Sequence, residues 1–391
     1  MRILHLCERY APFVGGMEQA VANLLGAQRA AGDEAHLATL RPDGLRAMTG
    51  VEDSDGFIHR LRHLPLGNYH PPAPDPVVSR GLLQLLRRFG PFDVVHAHGL
   101  MGLSYLALKR AGIARTPLVW TLHDYGLVCA KRTLLYRDGQ PCSGPACTKC
   151  LRCSGQHYGV ARGALVTAGV WGSRAFMAGV DRFVAVSEIV AVAHGAIDAT
   201  IIPPGISDYE VDRAEPRPGF LPTGPYLMFV GRLAPAKGGP VLLEAYGQLE
   251  GVKPRLLVIT SDETDPEIAE AGVQVARGVP HHDVRSAWSH ALFGVQPSLC
   301  DETWGMAIAE AMAAGKAVVV SDAGALPGVV GDGGIVVPRG DPGSLARAMQ
   351  QLIGSSLLRE RLGSAGRERA KSYGVENVRR QVLAVYEEVT R

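Results

Sequence analysis

The 391-residue sequence has almost no excess of charge of either sign: 40 Lys and Arg stand against 38 Asp and Glu, a formal net of +2. A chain so balanced has no strong field with which to gather nucleic acid or a strongly anionic surface as its main partner, so any basic site must be local. Long apolar runs are also missing. The first, Ile3 to Cys7, is cut short by Glu8 and Arg9, which describes a buried strand and not a secretion signal. The weakly polar stretch Tyr158 to Val180 contains Arg162 and Arg174, against a membrane span. A cytoplasmic protein with at most peripheral membrane contact is expected. Cysteine is scarce and uneven: four of the seven lie between Cys142 and Cys153, unlike the spread framework of a secreted disulfide-rich domain. The dinucleotide fingerprint G-x-G-x-x-G is absent from the loop after the first strand, where Gly15 and Gly16 stand as a plain pair.

What is present is ample core. Hydrophobic residues make up 47% and charged residues 20%, and the length suits two domains of ordinary size. Strand-like runs at Arg2–Cys7, Ala35–Leu40, Phe57–Leu61, Asp93–His98 and Pro117–Leu122 alternate with helical patterns such as Arg80–Phe89 and Leu100–Ala111. That alternation predicts a parallel sheet covered on both faces, with functional side chains at the carboxyl ends of its strands. Ile201 to Ile206 and the Pro/Gly-rich Arg213 to Pro225 suit a domain crossing. The expected division is 1–205, 206–373 and a tail helix over 374–391.

The chain is organised around Pro297 to Ser321. An apolar run, Ala291 to Val295, precedes a polar break; an Ala-rich helix ending at Gly315 follows, and the β-branched run Ala317 to Ser321 closes the unit. Ile308, Ala311, Met312 and Gly315 share the face expected to pack on the sheet, which puts Glu310 nearly opposite, flanked only by short alanines. Amides of the first turn, near Gly305, would favour an anion beside Glu302. Glu310 lies five residues along from Gly305, about 7.5 Å at roughly 1.5 Å per residue. Two carboxylates flanking one anion site suit sugar, phosphate, sugar.

Glu302 and Glu310, with seven residues between them, resemble the E-x7-E signature of the retaining glycosyltransferases of family 4, which have the GT-B architecture. The resemblance implies two Rossmann-like domains facing a cleft. It implies a nucleotide diphosphate sugar, of UDP or GDP type, as donor and no metal for catalysis. Glu302 would contact the donor sugar and Glu310 the ribose, with Trp304, Gly305, Met306 and Ala307 lining the diphosphate. Three further clusters match in order. Gly15 and Gly16 precede a helix and correspond to the family's N-terminal loop; His123, after the strand Leu118–Leu122, corresponds to the cleft histidine that meets the donor sugar. Arg232 and Lys237, after Tyr226–Val230, correspond to the diphosphate-binding cations, and Val279 lies in the loop that touches the base through backbone. The family often has Glu where this chain has Gly328.

Other features carry less. His96 and His98 are expected to hydrogen-bond and not to ligate, and Asp53-Ser54-Asp55 is expected in a solvated turn. The helix over Arg80–Phe89 reads as ordinary and amphipathic. Cys142, Cys147, Cys150 and Cys153, in an insertion over 129–157 without apolar period, have spacing that suits a structural zinc; an iron–sulfur cluster, free thiols or disulfides are the alternatives. The overall expectation is transfer of a sugar to an acceptor such as a small natural product, glycolipid or polysaccharide. The rivals are an epimerase of the same architecture, which would release a free epimerised sugar nucleotide, and a catalytically silent sugar-nucleotide-binding partner protein.

Overall fold

A computed structural model describes residues 1–11, 15–41, 56–64, 72–137, 139–195, 198–207, 217–261, 268 and 271–391. Asp53 and Asp55 lie outside the described residues. The chain divides into two compact units: 1–137 with 142–205 and 375–391, and 138–141 with 206–374.

The first unit holds a seven-stranded parallel sheet: β1 (Arg2–Leu6), β2 (Glu34–Leu40), β3 (Ile58–Leu61), β4 (Val94–Ala97), β5 (Leu118–Leu122), β6 (Arg182–Ala185) and β7 (Ala199–Ile201). Its spatial order is β3-β2-β1-β4-β5-β6-β7. All residues of β4 and β5 are buried, as a sheet covered on both faces requires. One face packs Ile3, Val94 and Val119 against Val21 and Leu24 of the helix Gly16–Ala30 and against Val378, Val382 and Tyr386 of the C-terminal helix Val375–Thr390.

The helix expected from Arg80 starts earlier, at Pro76, because the Asp75 carboxylate accepts hydrogen bonds from Val77 N and Val78 N. It buries Val78, Leu82 and Leu85 and leaves Arg80, Arg87 and Arg88 outside.

The insertion departs from expectation by being helical. Cys147–Tyr158 and Val160–Ser173 form a hairpin about Gly159, whose φ is +84°. Its contact is made of small residues: a Cβ on Gly163 would come within 2.5 Å of Gly155 N, and Ser154 Oγ lies 2.7 Å from Thr167 Oγ1. Small residues carry this packing, so no apolar period marks it in the sequence.

The second unit has six parallel strands: β8 (Tyr226–Val230), β9 (Arg255–Thr260), β10 (Val273–Arg277), β11 (Phe293–Gln296), β12 (Ala317–Ser321) and β13 (Gly334–Val337), ordered β10-β9-β8-β11-β12-β13. Leu227, Phe229, Val258, Phe293, Val295 and Val319 centre its core. In both sheets the chain winds outward one way, then returns and winds the other; the reversals fall between β1 and β4 and between β8 and β11. Among the described residues no helix is long and apolar enough to cross a membrane.

Candidate active site

In the second unit the loops leaving β8 and β11 meet at the reversal point, where ligands of such sheets bind. Leu299 N and Cys300 N both donate to Ala236 O at 3.0 Å, which fastens the turn Pro235–Lys237 to the β11 loop. That contact sets Lys237 Nζ 2.7 and 2.8 Å from the two oxygens of Glu302. Ser298 Oγ donates to the same carboxylate, Gln296 Nε2 donates to Ser298 Oγ at 2.8 Å, and Ser321 Oγ donates to Ser298 O at 2.7 Å. Burial alone would lower the Lys237 ammonium, but Glu302 and Cys300 outweigh it and hold the group above its ordinary value. Burial and then Glu302 push the Cys300 thiol up to about 11, so it stays protonated. Arg232 is exposed two residues beyond β8.

Two glycines make the geometry possible. Gly238 has φ +75°, and a Cβ there would lie 1.8 Å from Pro297 O. Gly324 has φ +63°, pairs with Glu302 in a β-bridge, and would carry a Cβ 2.4 Å from Glu302 N and O. Only a residue without a side chain lets these backbones approach so closely.

The helix after Glu302 runs Met306–Ala313, capped by Gly305 at φ +115°. Ile308 N and Ala309 N are the first amides to find the Gly305 carbonyl; those of Met306 and Ala307 have no acceptor within the helix. Two details differ from the expectation of an open helix wall. Glu310 is 6% exposed, because the helix His281–His290 packs alongside and His281 Nε2 sits 2.8 Å from Glu310 Oε1. Trp304 turns inward and is buried, with its ring edge-on to Tyr373 at 5.0 Å. Val279, with Arg277, Pro280 and Phe220, lines a recess of about 680 Å³ beside the edge strand β10; Lys237, Glu302 and Glu310 do not line it.

In the first unit Gly15 is the N-cap of the helix Gly16–Ala30, and a Cβ on it would lie 2.4 Å from Glu18 Oε2. Burial raises the Glu18 carboxyl above its usual range. His123 follows β5 directly, with Nε2 3.0 Å from His98 Nδ1. Sequence reasoning gave His96 and His98 hydrogen-bonding roles; it did not see that β1 and β4 pair in a register that sets His5 opposite His96. It also missed Ser298 and His281, which hydrogen-bond the carboxylates of Glu302 and Glu310.

The structure does not gather the four clustered cysteines. Among the described residues the one group of three or more potential metal-ligating atoms within 4.8 Å of one another is His5, His96 and His98. Cys142 Sγ donates to Gly144 O at 3.5 Å, Cys153 Sγ to Leu135 O at 3.9 Å, and Cys150 Sγ accepts from Ala146 N at 3.3 Å. The thiols suit zinc chemically, but Cys147, Cys150 and Cys153 are spread along successive turns of one helix.

Two parallel-sheet α/β units, of seven and six strands, are the GT-B fold. The model described as Glycosyltransferase Family 4 matches residues 14–208, and that described as Glycosyl transferases group 1 matches residues 224–355. The chain belongs to glycosyltransferase family 4 and is an enzyme that moves a sugar from a donor to an acceptor. It is 27% identical to the D-inositol 3-phosphate glycosyltransferase of Jonesia denitrificans, over 99% of this chain and 96% of that protein. It is 29% identical to the phosphatidyl-myo-inositol mannosyltransferase of Mycobacterium leprae, over 100% and 97%. Among solved structures it resembles sucrose-phosphate synthase from Thermosynechococcus elongatus, with TM-score 0.76 and 21% identity over 99% of this chain and 98% of that one. An Anabaena protein solved with UDP-glucose matches with TM-score 0.70 and 16% identity, over 99% and 100%.

Proposed function

We propose that the enzyme transfers a sugar, with retention of anomeric configuration, from a nucleotide diphosphate sugar to a phosphorylated polyol, either free or as a lipid headgroup. The observation that carries the donor half is the Lys237–Glu302 contact beside two amides without helical acceptors. Breaking the anomeric bond puts negative charge on the departing diphosphate. Cations and amides already aimed at that charge stabilise the transition state more than the ground state. Arg232, Lys237 and the amides of Met306 and Ala307 supply this without a metal ion. Glu302 orients the sugar, Glu310 accepts from the ribose hydroxyls and the backbone of Val279 meets the base; Gly15, Gly16 and His123 of the first unit keep the donor-contacting roles that the family resemblance gives them. The relatives named above, whose acceptors are inositol phosphate and phosphatidylinositol, support the acceptor half.

A panel of nucleotide sugars is first screened for stabilisation of the purified protein, since a ligand of the folded form raises Tm. The stabilising sugar is then incubated with inositol phosphates in EDTA. An α-linked product from an α-configured donor supports the reading. A free epimerised sugar nucleotide, or no turnover with any polyol phosphate, sinks it.

A structural zinc at the cysteine cluster is the one cofactor we propose. It requires Cys142 and the helix Cys147–Tyr158 to rearrange around the ion. A metal content near one zinc per chain, lost in Cys150→Ser, supports it; metal-free protein of unchanged Tm opposes it.

A further inference from the structure

A file of histidines crosses the carboxyl end of the first sheet. His5 and His96 are register partners on β1 and β4; His98 lies two residues beyond His96, and Thr121 and His123 lie two and four residues beyond Val119, the β5 partner of His96. With a side-chain period of two, all five point to the same face. That face is covered by Gln28 of the helix Gly16–Ala30 and by Tyr386 of the C-terminal helix. His5 and His96 are 0% exposed, His98 3%. Burial lowers the pKa of His5 and of His123 to about 4, and those of His96 and His98 well below the ordinary value, so all four rings are neutral at neutral pH. A neutral imidazole has one donor nitrogen and one acceptor nitrogen, so one fixed end decides a whole row.

The fixed end is Gln28. Its Oε1 can only accept, and it lies 2.7 Å from His5 Nε2, which therefore carries the proton. His5 Nδ1 is then an acceptor, and its partner at 2.9 Å, His98 Nε2, must donate. His98 Nδ1 in turn accepts, so His123 Nε2 at 3.0 Å must donate. The other end of the amide meets the C-terminal helix. Gln28 Nε2 donates to Tyr386 OH at 3.3 Å, leaving the phenol proton for His96 Nδ1 at 2.6 Å; His96 Nε2 then donates to Thr121 Oγ1 at 2.7 Å.

We infer that Gln28, His5 and His98 are positioning residues that fix His123 as the Nε2–H tautomer and leave Nδ1 as a hydrogen-bond acceptor for a hydroxyl of the bound sugar. Turning the Gln28 amide over would reverse every bond in the row and present an N–H at Nδ1 instead, so the orientation of that amide decides which face of hydrogen bonding the histidine offers. The sugar contact rests on the role proposed for His123; the tautomer does not. Metal binding by His5, His96 and His98 would compete with these bonds, since both nitrogens of each ring are already engaged.

The test is ¹⁵N NMR of the full chain labelled at histidine, where bare and protonated ring nitrogens resonate far apart; the His123 signals are assigned with His123→Gln. The expected result is a single Nε2–H tautomer for His123 without substrate. Gln28→Leu should turn that signal into a mixture and lower kcat/KM about tenfold with unchanged circular dichroism. An Nδ1–H tautomer in the wild type overturns the inference, even if a variant fails to fold. So does an unaltered His123 signal in folded Gln28→Leu. Full transferase activity of His123→Ala would instead sink the sugar role and leave the tautomer standing.

Discussion

Lys237 Nζ bridges both carboxylate oxygens of Glu302, at 2.7 and 2.8 Å, from a turn that hydrogen-bonds the same loop through Ala236 O. The lysine is 38% exposed along its side chain and the glutamate 10%, so the carboxylate is the group whose charge the protein cannot leave alone. Lys237→Met keeps the stem and removes the charge. The expected outcome is a loss of about 10²-fold or more in kcat with a smaller change in KM, because the ammonium acts chiefly on charge that develops in the transition state. Tm should fall as well, since among the described residues Glu302 then keeps Ser298 Oγ as its one side-chain donor. Steady-state kinetics with the donor identified by thermal shift would check this. An equal fall in kcat/KM arising wholly from KM would show that the lysine serves uniform binding only.

Glu310 gives a different expectation. His281 occupies one of its oxygens, and ribose hydroxyls would need the other. Glu310→Gln preserves shape and one acceptor, so the fold should stay within about 1 kcal/mol of wild type. Affinity for the nucleotide should weaken about tenfold, near 1.4 kcal/mol, as a charged acceptor becomes neutral. Calorimetric titration with the free nucleoside diphosphate separates this from the sugar contacts of Glu302, because that ligand has no sugar beyond the ribose. Unchanged affinity would remove Glu310 from the proposed site.

The buried histidines predict an acid-sensitive stability. His5 and His123 hold their pKa values at about 4 in the folded state, below the ordinary 6.5 that the unfolded chain restores. Between these values the unfolded state binds more protons, so stability rises with pH there. Their contribution is whole above pH 6.5 and is lost as pH falls toward 4, by roughly 1.4 kcal/mol per pH unit for each unmatched group. Calorimetric Tm should therefore drop steadily from pH 7 to 4.5, and less steeply in His123→Gln. A flat Tm between pH 7 and 5 contradicts the burial assignment.

The fold was legible wherever large apolar residues set the pattern. The runs at Leu118–Leu122 and Ala317–Ser321 are buried strands, and Gly305 and Gly315 bound the short helix that follows Glu302 and carries Glu310. Patterns carried by small or polar residues were not legible. The hairpin of Cys147–Tyr158 and Val160–Ser173 closes on glycine, serine and threonine. The edge strand β10 is only half-buried, so Val273–Arg277 lacks the apolar run that marks its neighbours. Spacing placed Glu302 and Glu310 near one helix start, but could not say that His281 would cover Glu310 or that Trp304 would turn toward Tyr373. Those depend on how separate helices pack. The same holds for His5, whose partner His98 lies 93 residues away and is reached only through strand register.

Gly238 tests how far the site depends on its turn. It sits at φ +75°, next to Lys237, and a methyl group added there would meet Pro297 O at 1.8 Å, a backbone atom that cannot rotate aside. Gly238→Ala therefore combines left-handed strain with a backbone clash, and the turn must move away from the β11 loop to admit it. That motion breaks the bonds from Leu299 N and Cys300 N to Ala236 O and carries the ammonium off Glu302. A destabilisation of about 3 kcal/mol or more is expected, together with a loss of donor-induced stabilisation greater than Lys237→Met causes. Gly219→Ala is the control, since nothing lies within 4 Å of a Cβ at that position. Denaturant titration of both variants, with and without the donor, checks the claim: Gly238→Ala with wild-type stability and wild-type donor response would mean that the turn is free to shift and that Lys237 does not need to be held where it stands.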